Sequence, residues 1–448
     1  MHAIEDGNIE VMELLIRQGA DVNHFCGTQA TPLLVALENE DINTVNLLIN
    51  HGSDVNYVRK RSGRITLLME SVIRNNKEIM LALLNANARV NDVTKITGNN
   101  ALILATIHDS DECLKILIER GANVNERNNN GETALSVAAK FGSVKSVQTL
   151  LKHNALINVQ DFSGKTPLMC AAFSNHDDTM KLLIASGARL DITDNEKRDA
   201  LMLSLISNED DKCPLLLIRS GCPLHNVSVS GYTPLQMCVN HNRILIIKEM
   251  IEYRVSLNQC PFNTTALWYA VDHCYNECVK LLLKAQASPN VGRPPLVIAA
   301  RYLDNLECVK MLLDAGADVN RTDHHFGSFI QTGAHQGNYE IVKAALNAGA
   351  DVNNSPIHFI FPGTYDEKTL MLLYVAGEKS PYFSSNNAPR CIVEANNDPS
   401  LENLCRKAIR KHLAVARPKR NMFRLVKLLP IPNIIKSYLL YNVTFETE

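Results

Sequence analysis

Some side chains in this chain have the types and spacing that do chemistry. Gly164-Lys165-Thr166 has the ending of a phosphate-binding loop, in which backbone N–H groups cradle phosphates and a lysine reaches toward them. The full pattern needs a second glycine five residues before Gly164, and Val159 stands there. Its Cβ disfavours the positive φ angles and close backbone approach that glycine permits. His273, Cys274 and Cys278 offer imidazole and thiol groups to a metal, and His324-His325 adds a histidine pair. Asp177-Asp178 and Asp210-Asp211 are adjacent carboxylates of the kind used for acid–base work. No H-E-x-x-H, G-x-S-x-G or dinucleotide-binding loop occurs.

The elements that must position these residues repeat. Stretches like "GADVN" end at Asn23, Asn56, Asn91, Asn125, Asn158, Asp191, His225, Asn258, Asn290, Asn320 and Asn353. In the same frame run Thr31-Pro32-Leu33, Thr133-Ala134-Leu135, Thr166-Pro167-Leu168, Thr233-Pro234-Leu235 and Thr265-Ala266-Leu267. Such a period marks a stacked-repeat architecture. Each threonine is suited to cap a first helix, with proline or alanine at its opening position. Val144, Val147, Leu150 and Leu151 give a second helix its apolar stripe. Gly121, Gly187 and Gly316 fit left-handed caps after second helices. No repeat buries its apolar faces alone, so neighbours stack into a solenoid.

This frame reassigns the chemical candidates. "SGKTPL" is in register with "NGETAL" and "SGYTPL", so Lys165 is the variable residue between a turn glycine and a capping threonine. Cys113, Cys278 and Cys308 share one position, held by Val11 in the first repeat, and a position filled by Val or Cys is a packing position. Cys274 and the histidines fall in turns or on the surface, and the Asp pairs read as solvated turn charges. No catalytic set, metal or cofactor is expected. Residues 1–23 lack the "TPL" half and read as a cap or a truncated repeat; residues 354–380 read as a worn final repeat.

The combination resembles the ankyrin repeat over roughly residues 1–380, which implies about 11–12 helix-turn-helix units joined by hairpin turns. The "LxxxxxDVN" stretches, such as Leu15 to Asn23, also resemble sites of asparaginyl hydroxylation; a purely structural asparagine is the alternative. Residues 381–397 read as a linker. In 398–448, Leu401, Leu404, Cys405, Ala408, Ile409, His412 and Leu413 form one helical stripe, flanked by Arg406, Lys407, Arg410 and Lys411. Leu401 followed by Cys405 and Ile409 resembles an elongin-binding box, and Leu429-Pro430-Ile431-Pro432 resembles a cullin-contacting box. Two boxes in this order behind ankyrin repeats resemble the ankyrin repeat and SOCS box family. The fold expected is therefore all-α: an ankyrin solenoid followed by a small three-helix SOCS box.

That resemblance implies a non-catalytic substrate-recognition subunit of a ubiquitin-protein ligase. Leu401, Leu404, Cys405, Ala408 and Ile409 would meet the elongin B–elongin C pair. Leu429, Pro430, Ile431 and Pro432 would meet a cullin, cullin-5 with its RING partner. The repeats would hold a protein substrate, through the cationic tip Arg59, Lys60, Arg61 and Arg64 or the aromatic pair Trp268 and Tyr269. The alternative is a scaffold whose C-terminal helices merely cap the repeats. A net charge of −2, from 45 basic and 47 acidic residues, gives no global pull toward nucleic acid or a membrane. The ten Lys or Arg among residues 401–448, against three acids, read as a solvated face. No membrane span or secretory leader is evident, and twelve cysteines without a paired framework suit a reducing cytosolic or nuclear setting.

Overall fold

The computed structural model describes residues 1–25, 30–59, 63–207, 210–302 and 305–351. The worn repeat at 354–380, the linker and the two C-terminal boxes lie outside the described residues. Within them are twenty-two α-helices in consecutive pairs. The first members are α1 (His2–Glu5), α3 (Pro32–Glu38), α5 (Leu67–Ile73), α7 (Ala101–Ile107), α9 (Ala134–Phe141), α11 (Pro167–Phe173), α13 (Ala200–Ser207), α15 (Pro234–Asn240), α17 (Ala266–Asp272), α19 (Pro295–Ala299) and α21 (Phe329–His335). The second members are α2 (Ile9–Arg17), α4 (Ile42–Asn50), α6 (Lys77–Asn85), α8 (Asp111–Glu119), α10 (Val144–Lys152), α12 (Asp177–Ala185), α14 (Lys212–Arg219), α16 (Ile244–Glu252), α18 (Asn276–Lys284), α20 (Leu306–Asp314) and α22 (Tyr339–Asn347).

Two compact units divide the chain: Met1–Cys238 with Lys248–Val255, and Val239–Ile247 with Ser256 onward. In the first, α5, α7, α9, α11 and α13 each pack on the next. In the second, α17 packs on α19 and α19 on α21.

The threonine expectation holds in detail. The Oγ1 atoms of Thr31, Thr66, Thr133, Thr166 and Thr265 accept the N3 backbone N–H of their helices at 3.2–3.3 Å. That pairs one donor the helix start leaves open. Asn100, Asp199 and Ser328 fill the same role in other repeats, accepting from Ile103, Met202 and Gln331. Gly121, Gly187 and Gly316 lie at φ 86°, 89° and 81°, in the left-handed region expected of them.

The cores repeat with the caps. Leu102, Leu135, Leu168 and Leu201 on first helices, and Leu83, Leu117, Leu150 and Leu183 on second helices, are at most 1% exposed. Each contributes roughly 1.5–3 kcal/mol of burial. Cys113, Cys278 and Cys308 are buried at their shared position, as expected. Burial pushes the Cys278 thiol up to about 11 and that of Cys308 to about 12, so these groups stay protonated packing residues. Val11 differs from them: it is 41% exposed.

The asparagines of the "DVN" stretches join each repeat to the following one. In the first unit Oδ1 of Asn23, Asn56, Asn91, Asn125 and Asn158 accepts a backbone N–H from the next repeat at 2.8–2.9 Å. In the second unit Asn258, Asn290 and Asn320 do the same. These contacts give the asparagines a structural role.

Hairpin turns precede the first helices. Two contain short antiparallel ladders: β1 (Val58–Arg59) with β2 (Ile65–Thr66), and β3 (Thr322–Asp323) with β4 (Gly327–Ser328). Elsewhere side chains close the turn: Asp161 Oδ1 accepts from the N–H groups of Ser163 and Lys165 at 2.9 and 2.8 Å.

Candidate protein-interaction face

The hairpin tips of the first unit are held side by side by backbone hydrogen bonds. The N–H groups of Asn129, Phe162, Asn195 and Val229 donate to the carbonyls of Thr97, Asn130, Ser163 and Glu196, each on the preceding tip, at 2.8–3.0 Å. The amides of Asn129 and Asn195 add bonds to the carbonyls of Ile96 and Phe162. The tips therefore form a fixed row, and Ile96, Phe162 and Val229 stand out from it 77%, 66% and 58% exposed.

Gly164 belongs to this row. Its φ is +84°, and a Cβ there would come within 2.7 Å of the Asn195 backbone nitrogen. The glycine is required by tip packing, not by a phosphate. Lys165 confirms this, since its Nζ lies 4.9 Å over the Phe173 ring.

Phe173 introduces a feature that the sequence reading missed. Seven residues beyond each cap, the first helices of five successive repeats carry Ile73, Ile107, Lys140, Phe173 and Ile206. In the Lys140 repeat the next residue, Phe141, supplies the apolar group. Phe141, Phe173 and Ile206 are 52%, 44% and 46% exposed. One turn earlier lie Leu104, Val137, Cys170 and Leu203, all buried. Residues three or four apart share a helix face, so the exposed row continues a buried floor. An apolar side chain at one register position in repeat after repeat was a legible signal; it was absorbed into the general apolar content of the helices.

The charges around this band are unequal. Lys140 reaches Glu132 at 3.5 Å, and Arg198 holds the buried Asp194 carboxylate at 2.8 Å. Burial pushes the Glu132 carboxyl up, but hydrogen bonds from Asn128 and the charge of Lys140 leave it below its ordinary value. Among the described residues Lys165 has no carboxylate partner, nor do the exposed Arg64, Lys95 and Lys197 at the tips. Carboxylates at the helix–helix turns are satisfied. Asp109 and Asp111 accept from Ser143 and Ser146. Asp177 and Asp178 share Lys181 at 2.9 Å each; they open α12 and so are helix-start residues, not the turn charges expected.

The residues proposed from sequence for substrate contact fall in separate places. Arg59 lies in β1 opposite Ile65, Arg64 is an exposed turn residue at φ 64°, and Lys60 and Arg61 lie outside the described residues. Trp268 and Tyr269 sit on α17, as expected, in the second unit. Trp268 is 8% exposed, and its ring packs edge-on to Tyr269 at 5.2 Å. The Arg293 guanidinium stacks 4.9 Å from Trp268 and forks onto the Asp323 carboxylate at 2.8 and 3.1 Å. Arg301 covers the Phe326 ring at 4.3 Å, and the Tyr302 hydroxyl donates to the Asp272 carbonyl at 2.8 Å. The sequence pointed to the tryptophan but not to the arginine that covers it.

Among the described residues no group of three or more His, Cys, Asp or Glu side chains is placed to hold a metal ion. Cys274 is exposed in a turn, while Cys278 is buried and donates to Asn242 Oδ1 at 3.2 Å. No described helix is long and apolar enough to cross a membrane.

Comparison with known families agrees with this architecture. Family models for ankyrin repeats match residues 1–59, 68–161, 154–226 and 201–293, and a further ankyrin model matches 296–346. A SOCS box model matches residues 399–440. Similar curated proteins include an ankyrin repeat protein of Acanthamoeba polyphaga mimivirus, 31% identical over 115 residues, which are 23% of this chain and 11% of that protein. An ankyrin repeat protein of Fowlpox virus (strain NVSL) is 40% identical over 129 residues, 29% of each chain. The matched segments thus span under a third of either relative.

Proposed function

The chain belongs to the ankyrin repeat and SOCS box proteins, and from that premise we propose that it is the substrate-recognition subunit of a ubiquitin-protein ligase. Ankyrin repeats bind proteins and a SOCS box recruits ligase components; both are adaptor domains, not catalytic ones. The reading is carried by one observation, the SOCS box match at 399–440 behind repeat matches that reach residue 346. We place the repeats at 1–380, a linker at 381–397 and the SOCS box at 398–448.

In this reading Leu401, Leu404, Cys405, Ala408 and Ile409 dock on the elongin B–elongin C pair. An amphipathic helix laid in a groove is a common recognition mode, and one fully buried leucine contributes roughly 1.5–3 kcal/mol. Cys405 is small and apolar enough for a tight pocket. Leu429, Pro430, Ile431 and Pro432 meet a cullin, which we take to be cullin-5 with its RING partner. The two prolines restrict the free segment and so lower the ordering cost of binding. Substrate is held by the repeats, and the chain supplies proximity while other subunits perform the thioester chemistry. The site of action is the cytosol or nucleus.

Co-purification from cells tests this. The tagged full-length chain should bring down elongins B and C and a cullin, and the Leu401→Ala/Cys405→Ala variant should bring down none. A folded native chain that retains neither elongin would leave the scaffold reading in its place.

A further inference from the structure

Resting on the substrate-receptor reading, we propose that the apolar band of the first unit binds one amphipathic α-helix of the substrate, with acidic residues along the flank that faces the hairpin tips. The band has the right chemistry for an apolar helix face. Ile73, Ile107, Phe141, Phe173 and Ile206 follow one another on five first helices that pack in series. Packed helices stand roughly 8–10 Å apart, so the four spacings of the band run about 32–40 Å, the length of a helix of about 21–27 residues. The same spacing presents one partner residue in roughly every six or seven to each repeat, close to the heptad at which a helix returns to one face.

The choice of a helix over an extended segment follows from the floor. In four of the five repeats Leu104, Val137, Cys170 and Leu203 offer apolar groups and no strong side-chain hydrogen-bonding group; in the Ile73 repeat the position holds Glu70, already paired with Arg74 at 2.9 Å. An extended chain laid there would bury N–H and C=O groups without partners, whereas a helix pairs its own. The sign of the flank follows from the charges. Lys165 stands beside the band against Phe173, and Arg64, Lys95 and Lys197 stand on tips of the same unit, each without a carboxylate partner among the described residues; these four cations outnumber the exposed tip carboxylate of Glu196. The carboxylates across the band, Asp109, Asp111, Asp177 and Asp178, already have donors. The same charge pattern argues against the chain's own C-terminal helices as occupant, because residues 401–448 carry ten basic residues against three acidic ones.

The test uses the full-length chain and a fluorescein-labelled helical peptide of about four heptads. Leu fills the first and fourth heptad positions and Glu the second and fifth, which lie on one flank of the leucine stripe; a twin peptide carries Lys in place of Glu. Fluorescence anisotropy should show the Glu peptide binding at least tenfold more tightly than its Lys twin. Phe173→Glu with Ile206→Glu should weaken the Glu peptide at least tenfold while the melting temperature stays unchanged, since both side chains are nearly half exposed. Lys165→Glu with Lys197→Glu should reverse the preference between the twins. Equal binding of the twins, or binding indifferent to the Phe173/Ile206 change, overturns the proposal. The elongin co-purification is read on the same preparation. Loss of elongin with the peptide preference intact would sink the ligase reading alone, and the converse would sink this inference alone.

Discussion

The two units share one helix-pair plan and differ in what covers the inner helices. In the first unit the register position seven residues past the cap is apolar or followed by an apolar residue from Ile73 to Ile206. In the second the same position holds Asp272, Arg301 and His335. In the second unit cations cover Trp268 and Phe326, Arg293 over the first and Arg301 over the second, while Phe262 is exposed. In the first unit Phe141 is 52% exposed, and Phe173 stays 44% exposed with Lys165 over its ring. Buried carboxylates are held in two ways. Asp323 and the first unit's Asp194 each meet a guanidinium, whereas Asp199, fully buried at a cap position that threonine usually fills, accepts from N–H donors that include Met202 and Asn226 at 2.8 and 2.7 Å. Repeat architecture thus fixes the backbone and leaves each face free to be closed internally or left for binding.

The largest effect that would break this comparison is expected at Arg293. Arg293→Ala leaves the Asp323 side chain, 2% exposed, buried without its cation, at a cost of about 3 kcal/mol. Trp268 is the only tryptophan in the chain, so denaturation followed by its emission reads the second unit directly. The pH dependence should weaken as well. Burial pushes the Asp323 carboxyl up, but Arg293 holds it below the ordinary value of 3.8. In the native chain its contribution is therefore present above that value and lost as pH falls through the lower folded one. Without Arg293 only the backbone hydrogen bonds from His325 and Phe326 offset burial, so the loss of stability at low pH should shrink. Unchanged stability and pH profile would show that the stack on Trp268 is incidental.

A smaller effect of opposite sign is expected in the first unit. Burial raises the Asp199 carboxyl above 3.8, outweighing the Met202 and Asn226 hydrogen bonds. A raised folded value gives a contribution that is full below 3.8 and lost as pH rises through it. Asp199→Asn keeps a capping oxygen, with Asn226 turning its amide over. It should be more stable than the native chain at neutral pH and no more stable near pH 3. A loss at neutral pH in thermal melts would mean the charge is needed at that cap.

Much of this fold was legible in the sequence because its signals are local. Thr133 and Thr166 cap their own helices, and Cys113 and Cys278 declare a packing position simply by recurring in register. The reassignment of Gly164-Lys165-Thr166 from phosphate loop to hairpin tip needed nothing beyond that register. The candidate face was less legible because it depends on partners distant in the chain. Trp268 stands out by type, but the cation that covers it arrives with Arg293, twenty-five residues on. The band formed by Phe141, Phe173 and Ile206 is invisible within any one repeat, where each reads as another apolar helix residue. Asp177 and Asp178 looked like turn charges because a helix start and a turn share the same acidic composition.

Titration calorimetry of the elongin B–elongin C pair into the full-length chain tests the central claim, that the repeats and the C-terminal boxes serve separate partners. The account predicts one elongin pair bound per chain, unaffected by Phe173→Glu/Ile206→Glu and abolished by Leu401→Ala/Cys405→Ala. Absence of binding to the native chain, or binding that survives the change at Leu401 and Cys405, would contradict it.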